Sequence, residues 1–150
     1  MIDNIDIPKH IINKIIENAL AEDLGSSGDI TSKSLSNKKT KIEASINSNQ
    51  DGIISGLDII ELVFKNIDTN TSITYHLSDC DEVKNGAEIA RVIGYSHSIL
   101  AAERVALNLL GHMSGIASET NKYVKSIANT KAFGIEASAD SGSPLSLIHI

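Results

Sequence analysis

From Ile99 to Ile127 the chain runs without a proline, and apolar residues return every three or four positions. The spacing predicts one amphipathic helix of nearly thirty residues, and a chain of 150 residues must be built around whichever side of it is apolar. At about 100° per residue, Ala106, Leu110, Met113, Ala117, Thr120, Val124 and Ile127 share one side and read as a core stripe. Asn108, Gly111, Gly115 and Lys122 fall within about 40° of Arg104 on the opposite side. A glycine inside a helix costs about 1 kcal/mol against alanine, so Gly111 and Gly115 in one strip imply something close to the backbone. Either the helix crosses a neighbour there with Arg104 solvated at the rim, or the strip meets another subunit or a ligand to which Arg104 delivers charge. His112, about 80° round from Arg104, reads as a packing or capping residue.

The remainder is short elements. Pro8 suits a first helical turn; Ile11, Ile12, Ile15, Ile16, Ala19 and Leu20 follow at helical spacing, and Gly25 is the stop. "GSSGDITSKSLSNKK" (25–39) is polar and rich in turn formers. "KIEASIN" alternates as a half-buried strand, and Asp51-Gly52 predicts a hairpin into "IISG". "LDIIELVFKNI" (57–67) predicts a short amphipathic helix. "SITYHL" and "AEIARVIGY" predict two strands joined by "SDCDEVKNG". Strands that come in pairs favour an α+β layer, a small open antiparallel sheet packed with helices, over a doubly wound sheet.

Charge and composition narrow the function. Nineteen acidic against thirteen basic residues leave a net charge of −6, the wrong sign for a nucleic-acid surface. Aromatic residues are 3% with no tryptophan, so base stacking has no platform. No apolar run approaches the roughly 18 residues of a membrane span. The acidic, apolar-alternating N-terminus lacks the order of a signal peptide. The lone cysteine, Cys80, can make no disulfide within the chain. A cytoplasmic protein is the expectation. His10, His76, His97 and His149 have no partners at metal-site spacing. "DCDEVKNGAEIARV" is similar to the turn and strand of biotinyl and lipoyl carrier modules, but Lys84 lies within the turn itself and such a module has no use for so long a helix.

"ERVALNLLGHMSGIAS" (103–118) resembles the hallmark helix of quinolinate phosphoribosyltransferases, the carboxylating nicotinate-nucleotide pyrophosphorylases. Glu103, Arg104, Ala106, Leu107, Asn108, Ser114, Gly115, Ile116 and Ala117 match that pattern. "LAEDLGSSGDITS" and "DEVKNGAEIARVIG" agree in the correct order, so the resemblance covers residues 10 to about 130. It implies an N-terminal α+β domain whose long helix leads into an α/β barrel holding most of the active site. The implied reaction transfers phosphoribose from phosphoribosyl pyrophosphate to quinolinate with loss of carbon dioxide. Nicotinate mononucleotide for NAD biosynthesis results, in a homodimer or higher oligomer. Magnesium is implied with phosphoribosyl pyrophosphate, with no protein ligand for it identified in this chain. A sister phosphoribosyltransferase for another ring acid is the alternative.

By the same resemblance Arg104 binds a carboxylate of quinolinate in the neighbouring subunit's site, and it is the one substrate-binding residue that carries over. Glu103 reads as structural. "GDITS" (Gly28–Ser32) is a signature of the family but also an ordinary turn and cap. Cys80 interrupts an Asp-Gly-Asp turn usual in such sequences and is strained if that position needs positive φ. After about residue 130 the resemblance stops, and "GIEASADSGSPLSLIHI" contains neither lysine nor arginine. Residues 131–150 are therefore expected to be foreign to the family, in a chain truncated or frame-altered before its barrel and inactive by itself.

Overall fold

The computed structural model describes residues 7–25 and 40–127. The GDITS stretch, His149 and the expected foreign tail lie outside the described residues. The elements run α1 (Lys9–Leu24), β1 (Lys41–Asn47), β2 (Gly52–Ile53), α2 (Leu57–Ile67), β3 (Ser72–Tyr75), β4 (Glu82–Val83), β5 (Glu88–Tyr95) and α3 (Ser96–Ile127).

Local chemistry sets most boundaries. Pro8 precedes the first turn of α1, and Gly25 ends the helix at φ 62°, its N–H donating to the Ala21 carbonyl at 3.1 Å. Leu57, Ile60, Val63 and Phe64 bury one stripe of α2. Its first amides are capped from a distant loop. Gly56 and Leu57 N–H donate to the Asp79 carboxylate at 3.0 Å, which places a negative charge at the positive end of the helix.

β5 is the centre of a three-stranded antiparallel sheet of order β1-β5-β3. Register puts Ala44 opposite Val92 and Ile46 opposite Ala90 on one side of it, with Ile73 and Tyr75 opposite the same two residues of β5. Ala44, Ile46, Ala90 and Val92 are buried with Ile16, Phe64, Ile99 and Leu110, whereas Ile93 and Arg91 on the other side are exposed. One face packed on helices and one face open is the habit of a small antiparallel sheet. The α+β expectation holds.

Several expectations are corrected. β1 and β2 form no hairpin: β1 pairs β5, and β2 pairs β4 in a separate two-stranded ribbon. The turn after β1 is held elsewhere. Ser48 exchanges backbone bonds with Ala87 and Gly86, while Asp51 accepts the Asn85 N–H at 2.9 Å. Asp51-Gly52 therefore turns the chain toward the β4–β5 connection instead of back along β1.

The core stripe of α3 is right only as far as Leu110. Beyond it the buried residues are Gly111, Ser114, Gly115 and Ser118, while Val124 is 53% exposed. Burial follows the row Ala102, Ala106, Leu110, Ser114, Ser118, whose four-residue steps drift about 40° each around a 3.6-residue helix. The first half of α3 faces the core and the second half faces the β2–β4 ribbon, so no single side is buried throughout.

The glycine strip is thereby explained within the subunit. Gly111 and Gly115 are buried beside Ser114 and Ser118, whose hydroxyls hydrogen-bond the backbone at Ser55 and Ile53. Small residues let the ribbon's backbone come within reach of a serine hydroxyl. His112 is corrected too: it is exposed rather than packed. The start of the helix moves from Ile99 to Ser96, directly after Tyr95 of β5.

Candidate functional site

The chain has two arginines, Arg91 and Arg104. Arg91 is fully engaged: Nε and Nη2 donate to the two oxygens of Glu88 at 2.8 and 3.0 Å, and Nη1 lies 3.0 Å from Glu43. Those bonds hold the Glu88 carboxyl below the usual carboxylate range. Arg104 is different. Its side chain is 75% exposed and meets one carboxylate oxygen, with Nη1 donating to Asp23 Oδ1 at 3.3 Å.

α1 and α3 position this pair. Arg104 follows Ala102 and precedes Val105 and Ala106, all three buried, so the helix backbone beneath it is fixed in the core. Asp23 stands on the last turn of α1. Between the helices opens a groove of about 450 Å³, with Glu22 and Asp23 on one wall and Arg104, Asn108 and Leu109 on the other. One guanidinium faces two acidic residues there. A planar, five-donor cation with most donors uncommitted suits carboxylate recognition, but a dicarboxylate would meet net negative charge unless cations came from elsewhere. Arg104 and Asn108 of the predicted strip do share this wall. Gly111, Gly115 and Lys122 do not.

Gly115 and Lys122 line a second hollow of about 450 Å³, between the β2–β4 ribbon and the end of α3. Its charges cancel in pairs: Lys84 with Asp51 at 2.9 Å, Lys125 with Glu82 at 2.8 Å and Lys122 with Glu119 at 2.6 Å. The Asn85 N–H and then the Lys84 ammonium hold Asp51 below its ordinary value.

The histidines are scattered. His76 sits 3.5 Å from Glu88, and His97 stacks on Tyr95 and contacts the Ser98 hydroxyl. Among the described residues no group of three His, Cys, Asp or Glu could hold a metal ion. No helix among them is long and apolar enough to cross a membrane. Glu103 is partly buried, and the structure gives it no place in the groove. Asp23 was overlooked in the sequence, although its signal was present in the Glu-Asp pair of "LAEDLG".

The fold and groove define an α+β domain whose central strand passes into a long helix that offers one arginine. Residues 29–114 match the family model "Quinolinate phosphoribosyl transferase, N-terminal domain". A quinolinate phosphoribosyltransferase [decarboxylating] of Nicotiana glauca is 37% identical over 113 residues, which is 75% of this chain and 32% of that protein. A probable nicotinate-nucleotide pyrophosphorylase [carboxylating] of Bacillus subtilis is 35% identical over 114 residues, covering 76% of this chain and 39% of the relative. The solved nicotinate-nucleotide pyrophosphorylase of Francisella tularensis superposes with a TM-score of 0.77 at 35% identity, covering 82% of this chain and 43% of that one. The chain belongs to the quinolinate phosphoribosyltransferase family and carries its N-terminal domain. It spans about a third of the length of the curated relatives it matches.

Proposed function

We propose that this chain serves phosphoribosyl transfer from phosphoribosyl pyrophosphate to quinolinate, with loss of carbon dioxide, to give nicotinate mononucleotide for NAD biosynthesis in the cytoplasm. In this reading Arg104 binds a ring carboxylate in the neighbouring subunit's site of a homodimer or higher oligomer, and magnesium arrives with the pyrophosphate. The observation that supports it most is the state of Arg104: in a domain of this family, it is the arginine whose donors remain largely uncommitted among the described residues, on the wall of an open groove. The net negative charge of that groove fits a site that draws its other cations from outside the described residues. Ring-acid specificity belongs to the same outside residues, which keeps a sister activity on another ring acid as the second reading.

The test joins residues 1–127 to the portion of the Bacillus subtilis relative that comes after the matched region and follows nicotinate mononucleotide. The chimera should turn over, and Arg104→Ala should lower kcat/KM by about 2–5 kcal/mol. Mixing Arg104→Ala subunits with subunits inactivated in the added portion should restore roughly a quarter of the activity, since half the dimers are mixed and half their sites are intact. A folded chimera without turnover would overturn the reaction. Mixed dimers without recovery would overturn the action across subunits.

A further inference from the structure

We propose that Asp23 is the positioning residue for Arg104: it holds one edge of the guanidinium against α1 so that the other edge is presented to a carboxylate. The inference rests on the reading of Arg104 given above. It begins from an asymmetry within the pair. Asp23 is short, 22% exposed in its side chain, and fixed on a helix whose Ile16 and Leu20 are in the core. Arg104 is long and 75% exposed. The aspartate is therefore the anchor and the arginine the part that gains order.

The contact is also incomplete in a useful way. Nη1 donates to Asp23 Oδ1, and neither Nη2 nor Nε has a partner in the described structure. A guanidinium gripped at both edges, as Arg91 is by Glu88 and Glu43, has no fork left for a ligand. Held by one corner, Arg104 keeps a free Nη2 and Nε for the two oxygens of a carboxylate. An unrestrained arginine loses considerable rotamer freedom on binding, and prior restraint removes part of that loss. Against this stands the Asp23 charge, which repels an anionic ligand. The two effects have opposite signs in one measurement, which makes the proposal decidable.

The experiment uses the full 150-residue chain labelled with ¹⁵N, whose two arginines give two side-chain Nε resonances. Arg91 serves as the internal reference for an intact fold. In the unliganded chain the ¹H–¹⁵N heteronuclear NOE of Arg104 Nε should fall in Asp23→Asn and Asp23→Ala, be partly kept in Asp23→Glu, and leave Arg91 unchanged. In the chimera with the Bacillus subtilis relative, which supplies the rest of the site, Asp23→Asn should weaken quinolinate binding about three- to tenfold, the share expected from lost side-chain order. An Arg104 NOE indifferent to all three substitutions would overturn the proposal, as would tighter binding in Asp23→Asn, the signature of a merely repelling charge. If Arg104→Ala leaves quinolinate binding by that chimera unchanged, the carboxylate-binding role fails, while the NOE series still decides whether Asp23 positions the side chain.

Discussion

Ile53 donates its amide proton to the Ser118 hydroxyl at 2.8 Å, across 65 positions of sequence. The same hydroxyl donates to the Ser114 carbonyl at 2.7 Å, and Ser114 Oγ accepts the Ser55 N–H at 3.1 Å. An exposed strand edge must pair or be covered, and here two serines of a helix take the place of a neighbouring strand.

Removing Ser118 should therefore cost more than a surface serine would. Ser118→Ala leaves the Ile53 N–H short of its partner, a loss of about 1–3 kcal/mol. Ser126, which bonds back to the Lys122 carbonyl on an exposed turn, should change stability by less than about 0.5 kcal/mol when made alanine. Urea denaturation of the two variants compares them directly, and equal midpoints would contradict the bridging role.

Cys80 is the one described non-glycine residue at positive φ, 74°. An L side chain there costs roughly 1–2 kcal/mol, part of which glycine returns as greater freedom when unfolded. Cys80→Gly should raise stability by about 0.5–1 kcal/mol, whereas Cys80→Val should lower it. A Gly variant with an unchanged or lower denaturation midpoint would show that the turn tolerates its cysteine.

Asp79 should behave as a helix cap supplied from outside the helix. Asp79→Ala removes the acceptor for Gly56 and Leu57 and should cost about 1–2 kcal/mol, with Asp79→Asn recovering part. Gly56 is doubly constrained: φ is 100° and the Met113 side chain fills the space a Cβ would need. Met113→Ala should therefore rescue Gly56→Ala only in part, since it relieves the clash and not the backbone strain. Full rescue in a double-mutant cycle would remove the backbone argument.

Acid should unfold the chain through its paired carboxylates. Asp51 is held below its ordinary value by the Asn85 N–H and Lys84, Glu82 by Lys125, and Glu88 by Arg91. Each then binds a proton more tightly unfolded than folded. Its contribution is present above the unfolded value, about 4 for these groups, and is lost as pH falls through the lower folded value. Melting temperature should decline from about pH 5 downward, and Asp51→Asn should flatten the decline. Parallel curves for the two proteins would show that Asp51 contributes nothing to it.

The 150-residue chain alone should form no nicotinate mononucleotide from quinolinate, phosphoribosyl pyrophosphate and magnesium. Among the described residues the one arginine with uncommitted donors faces Asp23 and Glu22, too little positive charge there for a dicarboxylate and a pyrophosphate together. Product above a protein-free blank would show that the described residues underestimate the site.

Helices were legible where local chemistry decides them. Pro8 and Gly25 bracket α1, and the stripe in "LDIIELVFKNI" marks α2 to the residue. The helical angles left Arg104 either solvated at a rim or delivering charge, and the motif around it is what singled the residue out. What stayed hidden depends on partners distant in sequence. β2 and β4 are two residues each, too short to alternate, and they pair across thirty positions. The angle arithmetic placed Gly115 correctly on the helix but could not show what stood opposite, a strand backbone of the same chain. Asp23 is 81 positions from Arg104, and only folding sets them side by side.

Tyr95 ends β5 and Ser96 begins α3 with no residue between them. The junction ties the start of the helix to the sheet, so any tilt of α3 turns about the point where it leaves Tyr95. Thirty-two helical residues extend roughly 48 Å, and Arg104 lies about 12 Å from that point. A tilt of a few degrees would carry the far end of the helix through some 2–3 Å yet shift the backbone at Arg104 by well under 1 Å at that helical rise. A shift of the far end of α3 against the β2–β4 ribbon therefore leaves the arginine in register with the sheet, as a hand near the hinge of a door hardly moves.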